Sequence, residues 1–205
     1  MATVISANTG EPASASNDIS VLFTHHQIVP DVVPSPPKTA LSVVYGDGVQ
    51  VNGGNEMLIS GVQSQPTINY PTEAQSFYTL YMIDPDNDSR ETHKYRQFIH
   101  WLVINIPGVV GGQQISLSNG LVVSPYMGSA PGAGTGRHRY VFLLMKQSAP
   151  VDPANVKKFG EPGLLGLKSN MMERANHDIN AWWQQHGQPV PELLAGNFYF
   201  AEEAK

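Results

Sequence analysis

Three long runs of apolar, β-branched and aromatic side chains constrain the fold of this chain most strongly. They are SFYTLYMI at residues 76–83, FIHWLVINI at 98–106 and HRYVFLLMK at 138–146. Such residues favour strands, and turn-forming residues such as Pro107 bound the runs. Because almost every position is apolar, we expect strands that are buried on both faces of a sheet, with 76–83 at its centre.

Shorter segments complete the predicted sheet structure. LSVVY at 41–45 and TINY at 67–70 are turn-bounded strand candidates, and GNFYF at 196–200 is the last one. The segment 28–38 holds four prolines among β-branched residues. Proline lacks a backbone N–H, so this segment is predicted to be extended, at a sheet edge.

Helical periodicity is convincing in one segment only, residues 170–187. Its apolar positions recur at three- and four-residue spacing: Met172, Ala175, Ile179 and Trp182 or Trp183. Asn170 and Glu173 fit a capping box at its start, and Gly187 followed by Pro189 fits its end. We therefore predict one late helix that packs on the sheet.

The length of 205 residues favours one domain with a single core. Residues 1–18 are small, polar and aperiodic, so we expect a disordered tail followed by one domain at 19–205. The 19 glycines and 16 prolines suit a sheet protein with long connections.

Composition excludes several classes of function. The net charge is −5, with 17 acidic and 12 basic residues and no basic cluster, which argues against a nucleic-acid partner. The absence of cysteine excludes disulfides, thiolate nucleophiles and zinc bound through sulfur. No run approaches the roughly 18 apolar residues of a transmembrane helix. The start lacks signal-peptide features, so we expect a cytoplasmic protein, or a secreted one if a leader was removed before Met1.

Two polar motifs adjoin the apolar runs. DPDNDSR at 84–90 follows the central run, and GTGRHRYVF at 134–142 leads into the third. Each places charged or imidazole side chains at the mouth of a strand, where a small ligand could be held from several sides. The motifs therefore predict a pocket.

The acidic motif admits several chemistries. Asp84, Asp86 and Asp88 alternate as in a calcium loop, but Ser89 and Tyr95 stand where that loop needs glycine and glutamate. The carboxylates could instead accept backbone hydrogen bonds in an Asx-turn. A glycosidase pair needs a defined separation across a sugar, which two residues of one tight loop supply poorly.

The remaining motifs predict no metal, cofactor or catalytic nucleophile. His93, His100 and His138 lack the HxxxH and HxH spacings, and a hydrogen-bonded structural imidazole is the commoner case. The glycine-rich segment 128–137 lacks the dinucleotide and phosphate-loop motifs, and it precedes a strand instead of a helix. No Gly-x-Ser-x-Gly nucleophile elbow is present.

Taken together, the motifs resemble the phosphatidylethanolamine-binding protein family, which includes the Raf kinase inhibitor, plant flowering regulators and carboxypeptidase inhibitors. Residues 84–90 resemble the family's DPDxPSR motif, and residues 136–142 resemble its GxHRYVF motif. Between them, HKYRQFIHWLVINIPG resembles the histidine-bearing strand, in the same order and spacing. The similarity runs from about Ile28 to about Gln147.

The resemblance implies a mainly β fold in which a large, mostly antiparallel sheet packs on a smaller sheet, with one C-terminal flanking helix. It also implies a small anion pocket lined by Asp84, Asp86, His100 and His138, with Tyr126, Gly128, Ala130 and Pro131 on its rim. Carboxylates beside imidazoles fix the ring orientation and raise the protonated fraction, which leaves N–H donors for an anion. A free carboxylate could accept the ammonium of phosphoethanolamine.

The function implied is a non-enzymatic binding and regulatory protein. It would hold a phosphatidylethanolamine head group or a similar small anion and modulate a protein partner, a kinase or a protease. One alternative is a protease inhibitor that acts through rim loops or termini independently of the pocket. Others are a hydrolase that uses Asp84, Asp86 and the histidines, and a polar network that only stabilises the sheet.

Three positions depart from the family pattern. Asp88 stands where the family usually has proline, Phe98 where an aromatic residue, commonly tryptophan, is found, and Gly132 where a Gly-Pro-Pro-like turn ends. Asp88 adds negative charge near the mouth and Gly132 loosens the turn, so we expect weaker anion binding.

Overall fold

A computed structural model describes residues 18–110, 114–160 and 171–204. Within these ranges the strands are β1 Thr39–Ala40, β2 Ser42–Val44, β3 Asn55–Glu56, β4 Thr67–Asn69, β5 Phe77–Asp84, β6 Phe98–Pro107, β7 Leu121–Ser124, β8 His138–Gln147 and β9 Glu192–Ala201. The α-helices are α1 Ile19–His25, α2 Ile28–Asp31 and α3 Ile179–Gln185. Turns of 3₁₀ helix lie at Gly46–Gly48, Ile59–Val62, Leu117–Asn119, Pro153–Asn155 and Met172–Arg174. The tail predicted for residues 1–18 lies, except for Asp18, outside the described residues.

The strand predicted to be central is central. In the large sheet the order is β1-β9-β8-β5-β6-β7, and β3 pairs with β9 as well. The strands β1 and β3 run parallel to β9, whereas the other pairs are antiparallel. The strands β2 and β4 form a separate two-stranded sheet. The mainly β architecture is confirmed, and the parallel pairings at one edge make the large sheet mixed.

Alternate residues of β5 face two different cores. Tyr78, Leu80 and Met82 belong to a core shared with the small sheet, whereas Tyr81 and Ile83 belong to one shared with α1 and α3. Successive side chains of a strand point to opposite faces, so a strand covered on both sides must be apolar throughout. This explains the unbroken apolar runs.

The prediction of a single helix was wrong, because α1 also forms. Asp18 caps it by accepting a hydrogen bond from the Ser20 backbone N–H at 2.9 Å. Ile19 and Phe23, four residues apart, are its buried positions. Seven residues make two turns, which is too short for a repeating apolar pattern to stand out in the sequence.

The proline-rich segment 28–38 was predicted to be extended, but it is not extended throughout. It begins with α2, in which the Val32 N–H donates to the Ile28 carbonyl oxygen at 2.9 Å. The Ile28 side chain is fully buried. Burial of this residue outweighs the local preference of a proline-rich chain, and only β1, just beyond the segment, pairs with the sheet edge.

The late helix is shorter than the predicted segment 170–187. A 3₁₀ turn at Met172–Arg174 is followed by a break, where the backbone N–H groups of Asn176 and His177 donate to carbonyl oxygens of the loop before β6. Asp178 then caps α3 by accepting from the Ala181 N–H at 3.0 Å. These pairings with the loop replace the helical hydrogen bonds, so periodicity alone overestimated the helix.

The structure agrees with the predicted C-terminal end of this helix but not with the predicted capping box at its start. Asn170 lies outside the described residues, and Glu173 forms an ion pair with Lys157 at 3.1 Å. Gly187 has a φ of 66° directly after the helix, which is the left-handed conformation expected of a C-terminal glycine. In the described part of the chain, no helix is long and apolar enough to cross a bilayer.

The turn after β6 depends on a glycine. The Gly108 N–H donates to the Ser76 carbonyl oxygen at 2.8 Å, and a Cβ on Gly108 would overlap the carbonyl oxygen of Glu73. We expect Gly108→Ala to lower the free energy of unfolding by about 1–3 kcal/mol, because backbone must shift to admit the methyl group. Urea denaturation measures this. Gly46→Ala, where the methyl group meets nothing within 4 Å, is the control, and equal losses would contradict the prediction.

Candidate functional site

The ends of three strands meet at one edge of the large sheet. Because β5 runs antiparallel to β6 and β8, its last residue, Asp84, lies opposite Phe98 and close to His138, the first residues of those strands. A cavity of about 240 Å³ opens there. The described residues that line it are Asp84, Asn87, Tyr95, Phe98, His100, Met127, Ala130, Gly132, His138, Tyr140, Met171 and Met172.

His138 is held between two partners beside this cavity. Its Nδ1 lies 2.8 Å from Asp84 Oδ2, and its Nε2 lies 2.9 Å from Thr135 Oγ1. The Thr135 hydroxyl donates its own hydrogen to the Gly132 carbonyl oxygen at 2.7 Å, so it accepts from Nε2. Because the carboxylate also accepts, this arrangement favours a hydrogen on both ring nitrogens, and His138 is an imidazolium at pH values below its raised pKa.

The charges around His138 agree with this assignment. Burial lowers the pKa of His138, but the hydrogen bond and charge of Asp84, with the charges of Asp86 and Asp88, outweigh it, and the net shift is upward. A histidine pKa that is raised by folding stabilises the protein fully below its ordinary value of 6.5. That contribution is lost as the pH rises through the raised pKa.

His100, the other histidine of the cavity, is neutral. Its Nδ1 lies 2.9 Å from the Met127 carbonyl oxygen, which can only accept, so Nδ1 carries the hydrogen. Burial lowers the pKa of His100, whose exposed fraction is 2%. Its Nε2 is buried and has no hydrogen-bond partner among the described residues. The cavity therefore contains one charged imidazole and one neutral imidazole with an unused acceptor.

Asp86 was predicted to line the pocket, but the structure turns its carboxylate to Arg139. Its Oδ2 accepts from the Arg139 backbone N–H and from Nε, each at 2.9 Å, and its Oδ1 accepts from Nη2 at 2.7 Å. Neither side chain has exposed surface. Arg139 also donates to the carbonyl oxygens of His26 and Gln27 and to Asp31. Asp86 thus ties the loop after β5 to the segment of α1 and α2.

Of the four predicted rim residues, Ala130 lines the cavity and three do not. The Tyr126 hydroxyl donates to the Val62 carbonyl oxygen at 2.6 Å. Gly128 packs against Gln63, and Pro131 is buried. These residues support the loop that forms one wall of the cavity.

Several further residues of the site were not predicted from the sequence. Eight of them line the cavity and one bonds to His138: Asn87, Tyr95, Phe98, Met127, Gly132, Tyr140, Met171 and Met172, and Thr135. Tyr140 could have been found, because it lies two positions after His138 and so shares its face of β8. The three methionines carry no motif. Met171 and Met172 reach the cavity from far along the chain, and only the fold shows it.

Asp88, one of the positions that differ from the family pattern, affects the site although it does not line the cavity. Its carboxylate accepts from the Thr92 hydroxyl, and this hydrogen bond is the main cause of its lowered pKa. Its negative charge contributes to the raised pKa of His138. Asp88 therefore helps to keep the imidazolium charged.

Comparison with known proteins identifies the family. Residues 23–198 match the family model described as phosphatidylethanolamine-binding protein. This chain belongs to that family. The matched range contains every described element from β1 to α3 and most of β9.

Individual relatives agree with this assignment. A 26 kDa secreted antigen of Toxocara canis is 36% identical over 86% of this chain, and the match spans 62% of the antigen's own length. A putative odorant-binding protein A5 of Drosophila melanogaster is 30% identical over 91% of this chain and 82% of its own. A solved carboxypeptidase Y inhibitor, in complex with its cognate proteinase, shares the fold with a TM-score of 0.72 at 24% identity, over 93% of this chain and 97% of the inhibitor.

Proposed function

We propose that the cavity binds the phosphate-bearing head group of a phospholipid such as phosphatidylethanolamine, or a similar small anion. We propose further that the protein is a non-enzymatic binding protein that modulates a protein partner. The observation that carries the proposal is the imidazolium of His138, held between Asp84 and Thr135 in the wall of a cavity. Membership of a family described by phosphatidylethanolamine binding supports a binding role.

The size and lining of the cavity support a ligand of head-group size. Its volume of about 240 Å³ is below the range of about 300–1,000 Å³ that is usual for drug-sized ligands. Its lining combines polar groups of Asp84, His100 and His138 with apolar groups such as those of Phe98 and Met127. A charged head with a short apolar stem matches both parts.

The two hydrogen bonds of the His138 ring support a binding function over a hydrolytic one. A general base needs a free lone pair within reach of its substrate. Both ring nitrogens of His138 donate hydrogen bonds, to Asp84 and to Thr135, so the ring has no lone pair to offer. The arrangement fixes a positive charge in place instead of moving a proton.

The mouth of the cavity supports the proposal of a protein partner, of the kinase or protease class. Met171 and Met172 line the cavity and are 43% and 51% exposed. Flexible, polarisable methionine side chains are common at surfaces that bind other proteins.

The cytoplasm stays the predicted location of the protein. Secretion is the alternative, because one relative is named a secreted antigen.

A thermal-shift titration with phosphoethanolamine tests the proposal. We expect the melting temperature of the wild type to rise with ligand, since a ligand at about 100 times its Kd stabilises by about 2.7 kcal/mol. His138→Asn removes the positive charge from the cavity and should abolish the rise. His186→Asn is the matched control, because His186 also bonds through Nδ1, to the Trp182 carbonyl oxygen, but does not line the cavity.

Two results would count against head-group binding: no rise in the wild type, or an undiminished rise in His138→Asn. The same variants separate the protease-inhibitor alternative. An inhibitor that acts through rim loops or termini would inhibit its protease equally well with His138 replaced, whereas partner modulation through the cavity would not survive the change.

A further inference from the structure

A second cavity lies on the other face of the large sheet. Its lining includes Met145, which belongs to the core shared with α1 and α3, whereas Tyr140 of the first cavity belongs to the core shared with the small sheet. Among the described residues, the two cavities have no lining residue in common. The second cavity has a volume of about 420 Å³, within the range of about 300–1,000 Å³ that is usual for small-molecule sites.

Hydrogen bonds hold the walls of this cavity in place. Residues 30–34 form one wall, residues 177–180 at the start of α3 form another, and Gln97 lies between them in the contacts it makes. The Gln97 Nε2 donates to the Asp31 carbonyl oxygen at 2.5 Å, and the His177 backbone N–H donates to the Gln97 carbonyl oxygen at 3.2 Å. The cavity is therefore formed before any ligand arrives, as is usual for small-molecule sites.

The interior of the cavity is apolar. Its apolar lining residues are Pro30, Val33, Pro34, Met145, Ile179 and Val190. Val33 and Met145 are buried, whereas Val190 is exposed. The apolar body of a ligand would leave water on entering, which is favourable.

The titratable groups that line the cavity give it a negative charge. Among the described residues they are Asp31, Asp178 and His177. Burial lowers the pKa of His177 to about 4, against the opposing charge of Asp178, so the ring is neutral at pH 7. No lysine or arginine is among the described lining residues. A cationic ligand is therefore attracted to this cavity, and an anionic one is repelled.

The two carboxylates differ in what they leave for a ligand. Asp31 Oδ2 pairs with Arg139 at 2.9 Å, and Arg96 donates to the Asp31 backbone carbonyl oxygen at 3.5 Å, so positive charge already lies beside Asp31. Asp178 Oδ1 accepts from the Ala181 N–H at 3.0 Å, and no ion pair of the described residues involves Asp178. Asp178 thus supplies the negative charge that is not offset.

We propose that the second cavity binds an organic ammonium ion with a compact apolar body. The ammonium group pairs with Asp178, and the body packs against Val33 and Met145. A fatty acid would bring its carboxylate to the same acidic groups, and a purely polar ammonium would leave the apolar interior unfilled. This inference goes beyond the proposed head-group binding and does not depend on it.

Hexylammonium, 1-hexanol and hexanoate test the inference, because they share an apolar chain and differ in the charge of the head. At pH 7 the amine is protonated and the acid is ionised, as lysine and glutamate side chains are. NMR titration of the full chain, labelled in its methionine methyl groups, reports the two cavities separately, through Met145 in the second and Met127 in the first. We expect hexylammonium to shift the Met145 signal with a Kd on the order of 1–10 mM, reasonable for so small a ligand.

The affinities of the three probes should follow their charge. Hexylammonium should bind about threefold to fivefold more tightly than hexanol, the effect of an ion pair that water partly screens. Hexanoate should bind at least about tenfold more weakly than hexylammonium, because repulsion replaces attraction. Equal affinities, tighter binding of hexanoate, or a response of Met127 in place of Met145 would each overturn the inference.

Asp178→Asn assigns the preference to one carboxylate. Asparagine caps a helix as well as aspartate does, so α3 keeps its cap and loses only the charge. The ratio of hexylammonium to hexanol affinity should fall close to one, with the affinity for hexanol unchanged. Asp152→Asn is the matched control, because Asp152 caps the 3₁₀ turn Pro153–Asn155 by accepting from the Ala154 N–H at 3.0 Å and lies outside the cavity. The control should keep the wild-type ratio.

The outcomes keep this inference apart from the proposed function. His138→Asn should leave the response of Met145 to hexylammonium unchanged while it abolishes the thermal shift with phosphoethanolamine. No response of Met145 to any probe, or a charge preference that persists in Asp178→Asn, overturns the inference and leaves head-group binding intact. If Met145 responds as expected and phosphoethanolamine gives no thermal shift, head-group binding fails and the second cavity stands.

Discussion

Replacing Arg139 with methionine is expected to lower the free energy of unfolding by about 3–5 kcal/mol at neutral pH, the usual cost of removing one member of a buried ion pair. Asp86 would be left as a carboxylate without exposed surface or a cationic partner. The carbonyl oxygens of His26 and Gln27 would also lose a donor. Chemical denaturation measures the loss, and hydrogen exchange should show α1 opening more readily.

The pH dependence gives this prediction a second measurement. Burial raises the pKa of Asp86, but the hydrogen bonds and charge of Arg139 outweigh it, so the pKa lies below the ordinary 3.8. A lowered carboxyl pKa stabilises the protein above 3.8, and the contribution is lost as the pH falls through the folded value. Without Arg139, burial raises the pKa of Asp86, so the variant gains relative to the wild type on acidification. The difference in stability should therefore shrink towards about pH 4.

An exposed ion pair provides the control for Arg139. Lys38 pairs with Glu192 at 2.5 Å, but the two side chains are 70% and 57% exposed. Lys38→Met should cost less than about 1 kcal/mol, because water screens such pairs. A loss of similar size in both variants, or a loss below about 1 kcal/mol in Arg139→Met, would show that the buried network does not hold the N-terminal segment.

The large strands could be predicted from sequence because they are buried on both faces. Residues 76–83 and 98–106 become Phe77–Asp84 and Phe98–Pro107, with ends that differ by one residue. The short edge strands could not be predicted. Pairs such as Asn55 with Tyr199 are set by the path of the whole chain, and a two-residue strand has no periodicity of its own.

Part of the site was also visible in sequence. The two motifs supplied Asp84 and His138, and the histidine-bearing strand between them supplied His100; the structure brings these three into one cavity. Sequence could not show that Asp86, two residues after Asp84, turns away to Arg139. The sequence did contain one indication of this contact. Consecutive side chains of a strand face opposite sides, so Arg139 must point away from the face of His138. An arginine buried on that other face needs carboxylate partners, and the fold provides Asp86 and Asp31.

The two histidines of the cavity differ because their partners differ. His138 bonds to a carboxylate and a hydroxyl and carries a charge, whereas His100 bonds to a backbone carbonyl and stays neutral. Both lie under the same apolar lining, so burial alone does not separate them. The charge of Asp84 makes His138 an imidazolium. Replacing Asp84 should therefore have a large effect on stability.

Asp84→Asn is expected to lower the free energy of unfolding by about 3 kcal/mol near pH 6. This is the low end of the range for a broken buried ion pair, because His138 can release its proton and so avoid an unpaired buried charge. The asparagine oxygen can still accept from the Asp86 N–H, but its NH₂ group would face the Nδ1–H of His138 as donor against donor. His138 must then become neutral and accept through Nδ1. Its pKa should fall, since Asp84 is the main cause that raises it against burial.

The sign of the pH dependence distinguishes this mechanism from a simple packing defect. The wild-type pair contributes fully below the ordinary histidine pKa of 6.5 and loses its contribution as the pH rises through the raised folded value. The deficit of Asp84→Asn should therefore be largest below pH 6.5 and shrink above it, and NMR titration of His138 should show the lowered pKa directly. Asp47→Asn is the control, because Asp47 is exposed and has a φ of 57°, which asparagine tolerates. A deficit that stays constant with pH would mean that Asp84 only packs, and the imidazolium on which head-group binding rests would lose its support.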